Sequence, residues 1–574
     1  MEVTGRGVWS NLINGFSVVL TPQHLLFVFL GVTIGTAIGV LPGIGPSLTI
    51  SLLLPVTFGL EPISAFVMFG GIFYGAMYGG STTSILVNTP GESSSVVTAI
   101  DGFKMAKKGR GGAALATAAI GSFFAGTFAT IMLMLLAPVL VRFALQFGAP
   151  EYFALMLLAL SAVTGLAGQS APKAFFATLL GLAMGMVGID LQTGQARFTF
   201  GNLNLLGGID PVMVAIGLFA VGEVFWVAAT YKRTHEETLT LKGSLLMNKE
   251  EWSRSWPAWA RGSVIGFMIG VLPGAGATIA SFLSYNAEQR FAKGRNELGE
   301  GAIEGVAGPE AANNASAGGA LVPLLALGIP GSATTAVMLV AFQIYGLRPG
   351  PLLFQQQGDL VWGLIASLYI ANMALLVLNL PMVRIWIKLL DVPKPVLYTG
   401  ILVFSLLGVY ADTQNTFSMF ILLALGVLGF LLRRFDFPLA PVVLGAVLGP
   451  LLEQEYRRSL AISVNDYSVF FTRPISLVLM LLVGLAFLTP IFNACGRAPV
   501  AARSAAKSGT LRLASRPSTA PSSVTARRFC SFARSVAANP TRHSAMPMRL
   551  PTARCSSNPS AKTSAACAAS PWAR

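Results

Sequence analysis

Two short segments, NTPGESSS (88–95) and IPGSATT (329–335), place hydroxyl side chains directly after a Pro-Gly pair within apolar sequence. Proline removes a backbone donor and glycine is conformationally free, so each pair interrupts a helix. The residues that follow can begin a new helix whose first amide groups have no internal partner. Such an end carries roughly half a positive charge and suits a carboxylate. The candidate anion contacts are therefore Asn88, Thr89, Gly91, Ser93, Ser94 and Ser95 around the break at Pro90, and Gly331, Ser332, Thr334 and Thr335 around that at Pro330. Carbonyls freed on the other side of each break suit a small cation instead. The competing reading is a pair of interfacial loops between ordinary membrane spans.

A second pair of breaks has less chemistry. GVLPGIGP (39–46) and GVLPGAG (270–276) put Pro42, Gly43 and Gly45, and Pro273, Gly274 and Gly276, in a stretch without polar side chains. Helix packing or a re-entrant turn explains them as well as ligand contact does. Neither has the G-x-G-x-x-G spacing or the following Lys-Ser/Thr of a nucleotide loop. Upstream of the second hydroxyl-rich break, GPEAANNASAGG (308–319) contributes Glu310, Asn313 and Asn314. A carboxylate beside a membrane cavity is a candidate for handling a cation or proton; the alternative is a loop continuing the charged run 286–304. Asp190, Asp210 and Asp412 fall at span ends, where solvation is the ordinary case, and Trp252, Trp256 and Trp259 read as an interfacial aromatic cluster. No H-E-x-x-H, G-x-S-x-G or metal-spaced Cys/His set accompanies them, so neither catalytic residues nor a metal site are expected.

The elements that must position these residues are membrane helices. The chain is 54% hydrophobic and 11% charged with mean hydropathy +0.68, against roughly 25% charged in soluble domains. Apolar runs such as 114–141, 211–230 and 364–383 reach the length of about 20 residues that a span requires. They recur often enough for an all-α polytopic membrane protein of roughly 10–12 spans. The N-terminal stretch lacks the features of a signal peptide.

The net charge of +15 belongs to the tail: from Gly496 onward there are thirteen Lys and Arg and no acid, and the remainder carries only +2. That tail (494–574) is rich in Ala, Ser, Arg and Pro and cannot bury a core. It holds Cys495, Cys530, Cys555 and Cys567 without a folded extracellular context for disulfides. It reads as out-of-frame translation joined near Asn493 or as a disordered extension. With Phe529, Phe532 and Trp572 its only aromatics, no nucleic-acid partner is expected.

Segments 35–46 and 266–277 match, and so, in the same order, do 78–95 and 317–335. The chain thus divides into a first transmembrane repeat (1–230), a basic and aromatic linker (231–261) and a second repeat with a last span (262–493). Placing DGFKMAKKGRGG (101–112) and the linker in the cytoplasm favours inverted repeats, although Arg457, Arg458 and Arg473 then lie outside.

As a set, GVLPGIGP, YGGSTTSILVNTPGE, DGFKMAKKGRGGAAL, GVLPGAG, GPEAANNA and LALGIPGSATTAVML resemble the large membrane subunit of the tripartite tricarboxylate transporter family, from about residue 10 to 492. The resemblance implies a multi-pass secondary transporter of the bacterial inner membrane. It also implies citrate-like or related carboxylate substrates, and sodium ion or proton as coupling ion. The implied partners are a small membrane subunit and a periplasmic solute-binding protein. The tail has no counterpart in that family. A passive anion channel or a membrane scaffold would be the alternative.

Overall fold

The computed structural model describes residues 7–41, 44–166, 171–190, 193–230 and 245–486. Pro42, Gly43, the linker segment 231–244 and the tail 494–574 lie outside the described residues. The described chain is helical apart from one antiparallel ribbon, Gly188–Ile189 with Ala196–Arg197.

The helices used below are α1 (Pro22–Gly39), α2 (Pro46–Thr57), α3 (Pro62–Leu86), α4 (Val96–Met105), α5 (Gly111–Ala144) and α6 (Pro211–Thr230). They continue with α7 (Lys249–Val271), α8 (Gly276–Phe291), α9 (Glu304–Leu327), α10 (Ala333–Ile344), α11 (Gly358–Asn379), α12 (Thr416–Arg434) and α13 (Ala440–Ile462). Among the described residues, six helical segments are long and apolar enough to cross a bilayer, and six shorter apolar helices accompany them. Along α5, Phe124, Ile131, Leu135 and Val139 face outward, as a helix bathed in lipid requires. This is an all-α polytopic membrane protein.

Local signals start these helices where they are found. Thr21 caps α1 by accepting from the His24 amide at 3.3 Å, and Pro22 takes the first helical position. Asn248 and Glu251 form a reciprocal capping box on α7, at 2.8 and 2.9 Å.

Two helix pairs organise the interior. Gly31, Gly35 and Gly39 of α1 lie against the carbonyls of Met68, Ile72 and Ala76 on α3; a Cβ at these glycines would sit 2.3, 2.5 and 2.4 Å from the oxygens. Gly262, Gly266 and Gly270 of α7 lie in the same way against Gly308, Ala312 and Ser316 on α9, where a Cβ would come within 2.3, 2.2 and 2.3 Å. In each pair the glycines recur every fourth residue and the last stands three residues before the proline of the Leu-Pro-Gly motif. Lipid tails give helices no hydrophobic reason to associate, so this backbone contact is what joins them.

α3 and α9 are enclosed by protein along almost their whole length. Residues 308–319 are therefore helix interior, and the loop alternative is overturned. Two further expectations are corrected. Asp190 is buried and paired with Arg457 at 3.0 Å, because the ribbon folds it back against α13. Trp259 is buried too, its indole donating to the Thr117 carbonyl at 3.1 Å, whereas Trp252 and Trp256 are exposed.

At one end of the bundle a carboxylate gathers a loop. Asp101 of α4 is fully buried. It accepts from the amides of Gly299, Gly301 and Ala302 at 2.8, 2.7 and 3.1 Å, and from the Tyr285 hydroxyl at 2.9 Å. These donors replace the water the charge has lost and tie the α8–α9 connection to α4.

Gly266→Ala is expected to destabilise the fold by about 1–3 kcal/mol, seen as a lower unfolding midpoint in detergent. Gly59→Ala, where a Cβ meets nothing within 4 Å, should leave that midpoint unchanged. Asp101→Asn removes a charge that organises four donors and should cost about 1.5–3 kcal/mol. Faster proteolysis within 292–303 would report the released loop.

Candidate functional site

The hydroxyl-rich breaks are built alike. α3 ends at Val87, and Asn88 turns the chain with φ 58°. α9 ends at Gly328, with φ 72°. Few side chains other than Asn tolerate that left-handed region, which explains an asparagine where the other half has glycine. Next comes Pro-Gly. Gly91 is held against the Gly39 carbonyl and Gly331 against that of Gly270, where a Cβ would approach to 2.3 and 3.0 Å. The turns thus sit at the ends of the glycine rows. The Gly274 amide further donates to the Gly331 carbonyl at 3.0 Å, joining the two breaks of the second half.

A cap follows each turn. Ser332 accepts from the Thr335 amide at 3.3 Å, and its own amide donates to Thr335 Oγ1 at 2.8 Å. In the first half the Glu92 amide donates to Ser95 Oγ at 3.3 Å. A short 3-10 turn, Ser93–Ser95, leads into α4, whereas α10 starts directly after Ser332.

The four interruptions border one cavity of about 440 Å³. Gly45, Pro46 and Ser47 line it from the first break, and Pro90, Gly91, Glu92 and Ser93 from the second. Gly274, Gly276 and Thr278 belong to the third break, and Ser332, Ala333 and Thr334 to the fourth. Phe73 and Met77 of α3, Ser316 of α9 and Arg433 at the end of α12 complete much of the wall. Ser93 Oγ and Thr278 Oγ1 lie 3.0 Å apart, a hydrogen bond between the two halves. Arg433 forms an ion pair with Glu223 and lies 4.8 Å over the Trp226 ring.

Of the candidate anion contacts, Gly91, Ser93, Ser332 and Thr334 line this cavity, as do Pro90, Gly45, Gly274 and Gly276 among the break residues. Asn88, Thr89, Gly331, Pro330 and Pro273 shape the turns without bordering it. Ser95 and Thr335 spend their hydroxyls on the caps and are buried. Ser94 is buried behind the wall with no hydrogen-bond partner for its Oγ.

Glu310, Asn313 and Asn314 are buried on α9 and do not border the cavity. Asn314 Nδ2 donates to Ser122 Oγ at 2.7 Å and to the Glu310 carbonyl at 3.0 Å, bracing α9 against α5. Glu310 Oε1 accepts from the Thr98 hydroxyl. Asn313 lies beside this carboxyl, but neither its polar atoms nor Glu310 Oε2 form a well-aligned hydrogen bond among the described residues.

Sequence reasoning leaves out Ser47, Thr278, Glu92, Ser316 and Arg433. A signal existed for the first two: each stands two residues after the Gly-x-Gly of its Leu-Pro-Gly motif, at matching places in the repeat. Those breaks carry a hydroxyl after all.

Comparison with known proteins gives the site a family. The model of the tripartite tricarboxylate transporter TctA family matches residues 25–444, a stretch containing all four breaks. The chain is 49% identical over 479 residues, 83% of its length and 95% of the other's, to an uncharacterized 52.8 kDa protein in the TAR-I ttuC' 3' region of Agrobacterium vitis. An uncharacterized protein in the TAR-II ttuC' 3' region of that organism is 45% identical over 215 residues, 38% of this chain and 89% of that protein. No solved structure matches. With a match across most of its helical body, the chain belongs to the tripartite tricarboxylate transporter TctA family.

Proposed function

We propose that this subunit imports a citrate-like or related carboxylate by secondary active transport. In this reading the protein sits in the bacterial inner membrane with its two halves inserted in opposite senses. A periplasmic solute-binding protein delivers the substrate, a small membrane subunit completes the complex, and a sodium ion or proton gradient drives uptake. The observation that carries the reading is the convergence of four helix interruptions, two from each half, on one cavity whose largely apolar wall carries their hydroxyls and an arginine.

The cavity suits a multiply charged anion. Its volume of about 440 Å³ falls in the range of roughly 300–1,000 Å³ typical of small-molecule sites. α10 begins at the wall, where Ser332, Ala333 and Thr334 line the cavity, and the positive end of a helix favours an anion nearby. Ser47, Ser93, Thr278 and Thr334 add hydroxyl donors. Arg433 is the one cationic side chain among the lining residues, and a guanidinium matches a carboxylate with two parallel hydrogen bonds. Glu223 holds it meanwhile, so substrate exchanges one carboxylate partner for another. Binding at helix ends and hydroxyls tolerates many carboxylates, which leaves selection among them to the delivering protein.

The decisive experiment is uptake into proteoliposomes containing the membrane subunits, with loaded binding protein outside. Accumulation against the carboxylate gradient that requires a sodium or proton gradient is the expected result. Flux only down its gradient would make the protein a channel, and no flux would make it a scaffold. Thr334→Val is expected to raise KM by on the order of tenfold through loss of a hydrogen bond to a charged group. Arg433→Gln should raise it by on the order of tenfold or more, with Arg433→Lys recovering part of the loss. Initial-rate kinetics at varied substrate would show both effects.

A further inference from the structure

The buried carboxylates of this protein fall into two groups. Most are neutralised: Glu304 by Arg254 at 2.8 Å, Glu288 by Arg261 at 2.5 Å, Glu151 by Arg473 at 2.7 Å, and Asp190 by Arg457. Glu251 is met by Arg110, and Asp101 by its ring of donors. Glu310 is different. It is 0% exposed, and its surroundings are Thr98, Asn313 and the charge of Glu92, with no cationic side chain.

Four poorly satisfied residues occupy this region. Glu310 Oε2, Glu92 Oε2, Ser94 Oγ and both polar atoms of Asn313 are buried and form no well-aligned hydrogen bond among the described residues. Ser94 and Asn313 are each 1% exposed. Glu92 lies beside Ser94, Glu310 lies beside Asn313, and the two carboxyls are near enough for their charges to interact. The Thr98 hydroxyl orients Glu310 from its other oxygen.

We propose that Glu92, Ser94, Glu310 and Asn313 form a sodium-ion site behind the carboxylate cavity, with Glu92 shared between the two. The inference rests on the transport reading and gives its coupling ion a place. Two uncompensated carboxylates call for positive charge, and oxygen donors without sulfur or imidazole select a hard cation. A proton joins a single oxygen, whereas a sodium ion can take oxygens from all four residues at once.

Glu92 supplies the coupling. It borders the cavity, so its bare charge repels an incoming carboxylate, and the ion removes that repulsion. By linkage the anion must raise sodium affinity by the factor through which sodium raises that of the anion.

The test is binding of radioactive sodium to the purified full chain without any carboxylate. Saturable binding that potassium and choline do not displace is expected. Glu310→Gln and Asn313→Ala should weaken it by on the order of tenfold or more. Ser94→Ala, which removes one unpaired hydroxyl and disturbs packing least, should weaken it less. Adding citrate should tighten sodium binding in the wild type and not in Glu92→Gln. Absence of saturable sodium binding overturns the proposal, as does sodium affinity unchanged in Glu310→Gln and Ser94→Ala. Sodium binding that ignores Glu310 while wild-type uptake is intact defeats this site alone. Sodium binding that follows these residues while no carboxylate is taken up defeats the transport reading alone.

Discussion

A polypeptide that unwinds within hydrocarbon must be enclosed by protein, because its exposed amides and carbonyls find no water there. Every functional feature of this molecule depends on meeting that requirement. The solution is backbone contact: α1 on α3 and α7 on α9, through glycines that leave no room for a methyl group. At such separation the carbonyl row of one helix forms the floor on which the partner's Pro-Gly turn rests, at Gly39 for Gly91 and at Gly270 for Gly331. The interruptions are therefore held as firmly as the helices they interrupt.

Rigid turns determine what the interior can hold. Their caps use the hydroxyls of Ser95 and Thr335 and leave those of Ser93 and Thr334 at the cavity wall. Charge is arranged just as selectively. Arginines serve the acids near the ends of the bundle, including Glu304, Glu288 and Asp190. The interior segment of α9 carries Glu310 and Asn313 among alanines and glycines. Small residues there allow close packing, and the polar pair faces a region that packing alone does not satisfy.

Much of this was legible in the order of residues. A pair of motifs repeated in the same order, with one inserted residue, identifies the breaks, and Pro-Gly followed by hydroxyls identifies the helix starts. What the sequence could not convey was phase. Asn313 and Asn314 are neighbours, yet a helix turns about 100° between them. One therefore braces α5 through Ser122 while the other turns toward the Glu310 carboxyl. The same limit hides Arg433, which stands in the last turn of an apolar helix and joins the wall only because α12 packs beside α6. Thr278 and Ser47 are inconspicuous for another reason: they stand in the first helical turn beyond the break, apart from the Pro-Gly pair that marks it. Asp190 reads as a solvated span end because nothing local announces the two-stranded ribbon that brings it back against α13.

The hydroxyls of Ser93 and Thr278 touch across the boundary between the halves. Neither half alone can offer both to a guest, so their spacing acts as a proximity gauge. Because one hydroxyl must donate to the other, the closed pair has a single hydrogen left to offer. A guest that needs both as donors must first part them.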